Sequence, residues 1–447
     1  MPELDPLLAC PRCGTELARW QCRSCRVEYP VLGGVPWLFA DPSGAVVEWR
    51  HRWQLARQRL DGEAAAAQRA LAQGPRPQTR RRLEVVAGAY HAQAEALGTL
   101  LAPLTGTATT PQDSLLAIRT RLPPSQDVFS YEANVFRDWC WGDAETRAAL
   151  TSARDALGPH VPQRILVLGA GAGRLAYDLH QATAATHTVA VDLNPLLAYA
   201  AHHLARGEPV TLVEFPLAPV SADRAAISRT LRAPCPARSG LDMVLADARR
   251  PPFRAGAFDL VVTPWLLDVM DAPLEAMLAI VNRLLSPGGL WLYQGSIAFQ
   301  HADPARRCAP EELMEAAREC GFEVQSRADD TVPYMDSPDS RHGRREVVTT
   351  LAARKVSSVA CSGRQDSVPA WIVEPGQPIP ALPAFRLQAE STRIHAYIMS
   401  LIDGKRSLQD LARNLEQHRL MPRANAVPAL RAFLIRMWEE AEQAPRL

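Results

Sequence analysis

No run of apolar residues in this 447-residue chain approaches the ~18 needed to cross a bilayer. The amino terminus, MPELDPLLAC, has no basic segment followed by an apolar core and a small-residue cleavage site, so a secretory signal is not expected. The chain is therefore placed in the cytoplasm. Excess charge is missing as well: 49 Lys and Arg face 48 Asp and Glu, a net charge of +1, which excludes global attraction to nucleic acid or to a membrane. Also absent is the weakly hydrophobic, highly charged composition of disordered chains, because 47% of residues are hydrophobic and only 22% are charged. At roughly 150 residues per domain, the length predicts about three folded units.

What the chain does have is nine cysteines, four of them within the first 25 residues. A reducing compartment disfavours structural disulfides and makes clustered cysteines candidates for metal. Cys10-Pro-Arg-Cys13 and Cys22-Arg-Ser-Cys25 are two CxxC knuckles, whose facing thiolates complete a tetrahedral zinc site. A dithiol redox pair is the competing reading, but it uses one CxxC at the start of a helix. Four thiolates leave no open coordination position, so Cys10, Cys13, Cys22 and Cys25 are expected to hold a structural zinc whose binding supplies this segment's folding energy.

The remaining chain changes texture several times. Residues 1–40 read as a zinc ribbon and residues 41–150 as a helical connector or lid, with apolar residues at helical spacing on Ala-, Arg- and Gln-rich backgrounds. Residues 151–356 alternate β-branched runs (RILVLGAG, HTVAVDL, LDMVLAD, FDLVVTP, LWLYQGS) with helical stretches, which predicts an α/β domain with a mostly parallel, doubly wound, buried sheet. A Pro-, Ser- and Gly-rich linker is expected over 357–383, and a small helical domain over 384–447.

Within the α/β stretch, the apolar strand RILVL runs into Gly169-Ala-Gly171-Ala-Gly173-Arg174 and then a helix. Glycines there let the backbone turn sharply and approach a ligand. A second strand ends in Asp192, 23 residues after Gly169, where a carboxylate can take both hydroxyls of a ribose. This arrangement alone does not separate a dinucleotide from S-adenosylmethionine. Asp247 closes a third strand, and its simpler reading is a turn cap, as that of Asp192 is a strand end. Arg174 and Asn194 can either contact a ligand or pack and cap.

Downstream, Ala246-Asp247-Ala248, Phe258-Asp259-Leu-Val-Val and Ser286-Pro287-Gly288-Gly289-Leu290-Trp291 resemble the adenine-contact loop, the fourth strand and the turn into the fifth strand of class I S-adenosylmethionine-dependent methyltransferases. The resemblance implies a Rossmann-like fold and a cofactor site at Gly169, Gly171, Gly173, Arg174, Asp192, Asn194, Asp247 and Trp265. Phe136-Arg137-Asp138-Trp139 with Glu145, the GAGAGRLAY loop, Leu267-Asp268 and Val332-Pro333-Tyr334 are similar to the carnosine N-methyltransferase family over about residues 130–355. That likeness implies catalytic or substrate-side roles for Asp268, Tyr334 and His301. The chain departs from the family in Asp268-Val-Met-Asp271, in Gly295-Ser-Ile-Ala-Phe-Gln300 before His301, and in an aspartate at the ribose position. A competing reading makes the acids after strand four a helix cap, for which Asp271 is better placed.

The amino-terminal segment LLACPRCGTELARWQCRSCRVEYPVLGGVPWLF resembles the zinc-ribbon activator subunit of certain methyltransferases, which implies a covalently attached activator or docking element. Asp403-Gly404-Lys405-Arg406-Ser407 opens an amphipathic helix with Asp410 placed for a capping box. It is similar to small winged-helix-like domains that bind leader peptides, which implies a protein or leader-peptide partner; a packing or oligomerisation role competes. The second helix has no clear basic face, so nucleic acid is not the expected partner. The reading reached is an S-adenosylmethionine-dependent N-methyltransferase of a small molecule or peptide. Its alternative is a non-catalytic methyltransferase-like scaffold working through its ribbon and its docking module.

Overall fold

The computed structural model describes residues 4–104, 126–270, 272–299, 304–359, 378, 381 and 383–443. They belong to two compact units, Met1–Cys361 and Ser362–Leu447.

The first unit opens with two short antiparallel hairpins, β1 (Gln21–Cys22) with β2 (Val27–Glu28) and β3 (Val31–Leu32) with β4 (Val35–Pro36). The Asp41 carboxylate then accepts the Gly44 N–H at 3.2 Å and, with Pro42 in the first turn, starts α1 (Pro42–Ala72). α1 pairs with α2 (Pro77–Leu100) and buries Trp49, Trp53 and Leu60 beside Leu97, so the expected helical connector is a two-helix hairpin with one apolar face. Short α3 (Ala133–Phe136) continues as a π-helical turn, Arg137–Trp141, and leads to α4 (Asp143–Leu157).

Nearly continuous apolar runs then make the parallel strands of a sheet that is buried there on both faces, while its edge strand Phe322–Tyr334 is largely exposed. Its strands are β5 (Arg164–Leu168), β6 (His187–Asp192), β9 (Leu241–Leu245), β10 (Phe258–Pro264), β11 (Leu285–Gly295), β12 (Phe322–Tyr334) and β13 (Arg344–Lys355). The order is β12-β13-β11-β10-β5-β6-β9: β11, β10, β5, β6 and β9 run parallel, and β13 is antiparallel to β11 and to β12. Helices α5 (Arg174–Ala182), α6 (Pro195–Ala205), α7 (Leu274–Leu284) and α8 (Pro310–Glu319) form the crossovers. Strand order reverses between β5 and β10, and at such a switch point the strand ends open a ligand crevice. The alternation of the sequence leads to this doubly wound α/β fold. A separate antiparallel pair, β7 (Val210–Glu214) with β8 (Ile227–Leu231), was not expected; it precedes β9 and packs against α2.

The ribbon docks on the free edge of this sheet. Trp37 forms a parallel bridge to Leu245 at the end of β9, with the Leu38 N–H donating to the Leu245 carbonyl at 2.8 Å. On the other side of the same loop, Ala9 N–H donates to Pro252 O at 2.8 Å and Arg254 N–H to Leu7 O at 2.9 Å. The ribbon thus grips residues 245–254 at both ends.

The second unit has α9 (Pro383–Ser400), α10 (Leu408–Gln417) and α11 (Arg423–Gln443) around Ile398, Leu411, Leu415 and Leu430. The expected capping box is formed: Ser407 Oγ accepts the Asp410 N–H at 3.3 Å, and the Asp410 carboxylate accepts the Ser407 N–H at 2.8 Å. Among its described residues this unit contains helices and no strand. No helix among the described residues is long and apolar enough to cross a membrane.

Candidate active site

The crevice at the carboxyl ends of β5, β6, β9 and β10 is a cavity of about 1480 Å³. Ligand pockets commonly hold roughly 300–1,000 Å³, so this one has room for a nucleoside and an acceptor together. Gly169, Gly171, Arg174, Asp192, Asn194, Asp247, Trp265, Asp268 and Tyr334 all line it. Gly173 is not in that wall, and His301 lies outside the described residues.

The first half of the cavity is built by the glycine loop. Gly171 has φ +57°, and a side chain there would meet no atom closer than Asn134 Nδ2 at 3.9 Å. The loop therefore keeps a bare backbone toward the crevice. Gly173 has φ +82° for a different reason: a Cβ would come within 2.7 Å of Ala201 Cβ, so this glycine lets α5 pack on α6. Gly173→Ala is expected to destabilise the fold by about 1–3 kcal/mol through overpacking. Gly171→Ala carries the left-handed backbone cost without the overpacking, so it should lower the melting temperature less than Gly173→Ala while obstructing a ligand. Thermal melts and S-adenosyl-L-homocysteine titrations of the two variants check this division.

Asp192 ends β6 with Oδ2 accepting the Gly171 N–H and Oδ1 accepting the Asn194 N–H, both at 2.8 Å. Burial pushes its carboxyl up to about 6 against the opposing pull of these amides. Asp247, at the end of β9, is held by Arg249, whose Nη2 lies 2.8 Å from Oδ2 and whose Nε lies 3.0 Å from Oδ1. The Arg249 N–H also donates to Oδ1 at 2.9 Å, so Arg249 takes most of the roughly four lone-pair sites of this carboxylate.

Arg174 and Asn194 are committed to the protein itself. Arg174 pairs with Asp178 at 2.9 Å, donates to the Asp138 carbonyl at 2.6 Å and lies over the Trp139 ring. Asn194 Oδ1 caps α6 by accepting the Leu196 N–H, while Nδ2 donates to Val128 O and Ser130 O at 3.1 and 3.0 Å. These contacts fasten the loop and the segment over it, and both residues also stand in the cavity wall.

The second half of the cavity is aromatic and acidic. Trp265 has φ +50°, an outlier for so bulky a residue, and its ring lies 4.7 Å from that of Tyr334. Trp265 thus joins the aromatic groups of this half, while its neighbour Leu266 packs on Gly169 of the glycine loop. Tyr334 is flanked by the guanidinium groups of Arg344 at 4.6 Å and Arg137 at 5.9 Å. Arg137 is itself neutralised by Asp138 at 2.8 Å and Glu145 at 3.3 Å. Asp268, in the 3₁₀ turn Leu267–Val269 after β10, accepts the Ala298 N–H through Oδ2 at 3.2 Å. Its Oδ1 is buried and has no hydrogen-bond partner among the described residues, and burial raises its carboxyl above the usual range. Tyr131 and Gln294 also line the cavity; neither sits in a glycine or acidic motif that would have singled it out in the sequence.

The four ribbon cysteines fit a metal. Their sulfurs all lie within 4.8 Å of one another, with Cys10–Cys25 at 3.9 Å and Cys13–Cys22 at 3.6 Å. A tetrahedron with zinc–sulfur bonds near 2.3 Å has edges of roughly 3.8 Å, whereas a disulfide needs about 2.05 Å. The Arg12 and Cys25 amides point at Cys10 and Cys22 sulfurs, and Tyr29 Oη lies 3.1 Å from Cys10, supplying the outer shell such a site uses.

Residues 166–293 match the methyltransferase-domain family. No curated protein matches the chain. Solved structures similar to it include the N-methyltransferase NodS from Bradyrhizobium japonicum WM9 in complex with S-adenosyl-L-homocysteine, at 15% identity over 51% of this chain and 97% of that one, with a TM-score of 0.35. The [4+2]-cyclase SpnF is similar at 18% identity over 48% of this chain and 82% of that one, with a TM-score of 0.33. The complex between the Haloferax volcanii Trm112 methyltransferase activator and a methyltransferase is similar at 14% identity over 51% and 98%, with a TM-score of 0.33. The family match spans the loop, the acids and the strand-five turn in their expected order on a doubly wound sheet: the chain carries a class I S-adenosylmethionine-dependent methyltransferase domain.

Proposed function

We propose that this protein transfers the methyl group of S-adenosylmethionine to a nitrogen of a small molecule or peptide. The observation that carries the reading is Asp268, a carboxylate in the wall of the same cavity as the glycine loop and Asp192, whose buried Oδ1 has no hydrogen-bond partner among the described residues. Leaving a buried acceptor unsatisfied costs about 1–3 kcal/mol, and an N–H donor on an acceptor molecule removes that cost. Likeness of the Asp268 and Tyr334 segments to carnosine N-methyltransferases agrees with it.

S-adenosylmethionine supplies a methyl group on a sulfonium that is already a good leaving group. Gly169, Gly171, Asp192 and Asp247 are assigned to hold it, and Trp265 and Tyr334 to wall the acceptor. With the cofactor bound, the nitrogen lone pair would form the new C–N bond as the C–S bond breaks and its electron pair stays on sulfur, and the Asp268 carboxylate would take the nitrogen's proton. Alignment provides most of the acceleration, and Asp268 adds general-base assistance, typically about 10²–10⁴-fold. His301, the remaining candidate, lies outside the described residues.

The ribbon is assigned as a built-in activator, supported by its hydrogen bonds to both ends of the loop that carries Asp247. The carboxyl-terminal helices are assigned as a docking module for a protein or leader peptide.

Incubating purified protein and cell extract with labelled S-adenosylmethionine, then identifying the labelled species, tests the reading. Asp268→Asn should lower transfer at least 100-fold with little change in cofactor affinity. Because the base works ionised, wild-type activity should fall as pH drops through a raised Asp268 value, a limb that Asp268→Asn removes. Absence of S-adenosyl-L-homocysteine binding by calorimetry would leave only the scaffold reading.

A further inference from the structure

Segment 126–134 crosses the cavity and is pinned from two sides. Asn194 Nδ2 holds the Val128 and Ser130 carbonyls from below, and the connector holds the segment from above through Arg52 on the Gln126 carbonyl and Gln93 on the Glu132 carboxylate. Between these anchors Tyr131 has φ +63° and is half exposed, with its side chain in the cavity wall. A large non-glycine side chain in left-handed backbone costs of order 1–3 kcal/mol, and persists where the surroundings over-determine it. Ser130 reinforces the turn, its hydroxyl accepting the Asp127 N–H at 2.8 Å, and the Asn134 N–H donates to the Tyr131 carbonyl at 2.9 Å.

Burial raises the Tyr131 hydroxyl, and the charges of Asp268 and of Asp192 both add to the rise. Tyr131 lines the same cavity as Asp192 of the cofactor half and Asp268 of the acceptor half, and its segment is anchored on Asn194, two residues after Asp192. No sequence motif marks it, and neither the glycine loop nor the acids require it.

Resting on the proposed cofactor site, we infer that Tyr131 is the residue that recognises the positive charge of the sulfonium, its ring facing the sulfur at the junction of the two halves. An aromatic face attracts a desolvated cation strongly enough to change affinity roughly three- to thirty-fold. The product, S-adenosyl-L-homocysteine, is a neutral thioether at that atom and lacks the attraction. Tyr131 would therefore favour cofactor over product, which aids turnover by releasing the spent nucleoside.

The test needs no acceptor. Calorimetry of the full-length protein with S-adenosylmethionine and with S-adenosyl-L-homocysteine gives the ratio of their dissociation constants, for the wild type and for Tyr131→Phe, Tyr131→Leu and Tyr131→Ala. The account expects Tyr131→Leu and Tyr131→Ala to weaken S-adenosylmethionine roughly three- to thirty-fold while the homocysteine compound changes less than two-fold, and Tyr131→Phe to keep the wild-type ratio. An equal loss for both ligands would reduce Tyr131 to a structural wall, and no loss for either would remove it from the sulfonium; each overturns the inference. If the wild type binds neither ligand, it is the cofactor site itself that fails, an outcome distinct from both.

Discussion

Replacing Cys22 with serine is expected to unfold the ribbon and to weaken S-adenosyl-L-homocysteine binding at least tenfold, although Cys22 does not line the cavity. The ribbon has only two-residue strands, and its buried apolar residues belong to cores shared with the sheet and helices, so the metal supplies its local folding energy. Its loss also strips the backbone partners from Leu245, Pro252 and Arg254 and the Glu16 salt bridge at 2.6 Å from Arg254. Leu8, Tyr29 and Leu38, all fully buried, leave the main core with it. Loss of a structural metal belongs to the mutations costing about 4 kcal/mol or more, which corresponds to a melting temperature lower by roughly 10 °C. Chelator treatment of the wild type should reproduce both effects, and zinc should restore them. Elemental analysis of fresh protein should find about one zinc per chain. A stripped protein with unchanged melting temperature and unchanged affinity would mean that the ribbon is a passenger.

That dependence was only half visible in the sequence. Two CxxC knuckles specify a metal site because their spacing is local chemistry, and the sulfurs converge as that spacing implies. Where the ribbon rests is a long-range matter, set by how Trp37 and Leu38 meet the edge of β9 some 200 residues away. The same division holds in the sheet. Periodicity reported the strands that carry Asp192, Asp247 and Asp268, since buried parallel strands are continuous apolar runs. The β7–β8 hairpin was missed although its strands are as long as β5 and β9, because ISRTL alternates half-buried with exposed residues and is not a continuous apolar run. In the site, Asp192 and Asp268 could be picked out from their positions at strand ends. Tyr131 could not, because its importance comes from a backbone conformation fixed by Asn194, Gln93 and Arg52, three residues distant in sequence. The contacts of Gly173 with Ala201 and of Arg174 with the Asp138 carbonyl are likewise invisible in a linear glycine motif.

The second large effect is expected at Asp192. Removing the carboxylate in Asp192→Ala deletes the acceptor of the Gly171 amide and the group assigned to the ribose hydroxyls, so affinity for S-adenosyl-L-homocysteine should fall at least 100-fold. Hydrogen bonds to a charged acceptor are worth about 1.5–3 kcal/mol each, and two are lost. The wild type should also show a characteristic pH dependence. Burial holds the Asp192 carboxyl at about 6, while a ribose donating two hydroxyl hydrogens favours the ionised form, so binding releases a proton. Affinity should therefore rise with pH, by roughly tenfold between pH 5 and pH 7, and flatten above. For stability the sign is opposite: a carboxyl raised above its unfolded value favours the protonated fold, so this group's contribution declines as pH climbs from about 4 to about 6. Asp192→Asn should abolish the pH dependence of binding. Titrations at pH 5, 6, 7 and 8 on both proteins check it, and a flat wild-type profile would remove Asp192 from the ribose.

A crystal structure of the full-length protein with S-adenosyl-L-homocysteine tests the central claim most directly. The account predicts the nucleoside in the crevice beyond β5, β6 and β9, with its ribose hydroxyls on Asp192, its adenine amine on Asp247 and its sulfur turned toward Tyr131 and Asp268. A nucleoside bound elsewhere, or Asp192 and Asp247 left untouched by it, would contradict the account.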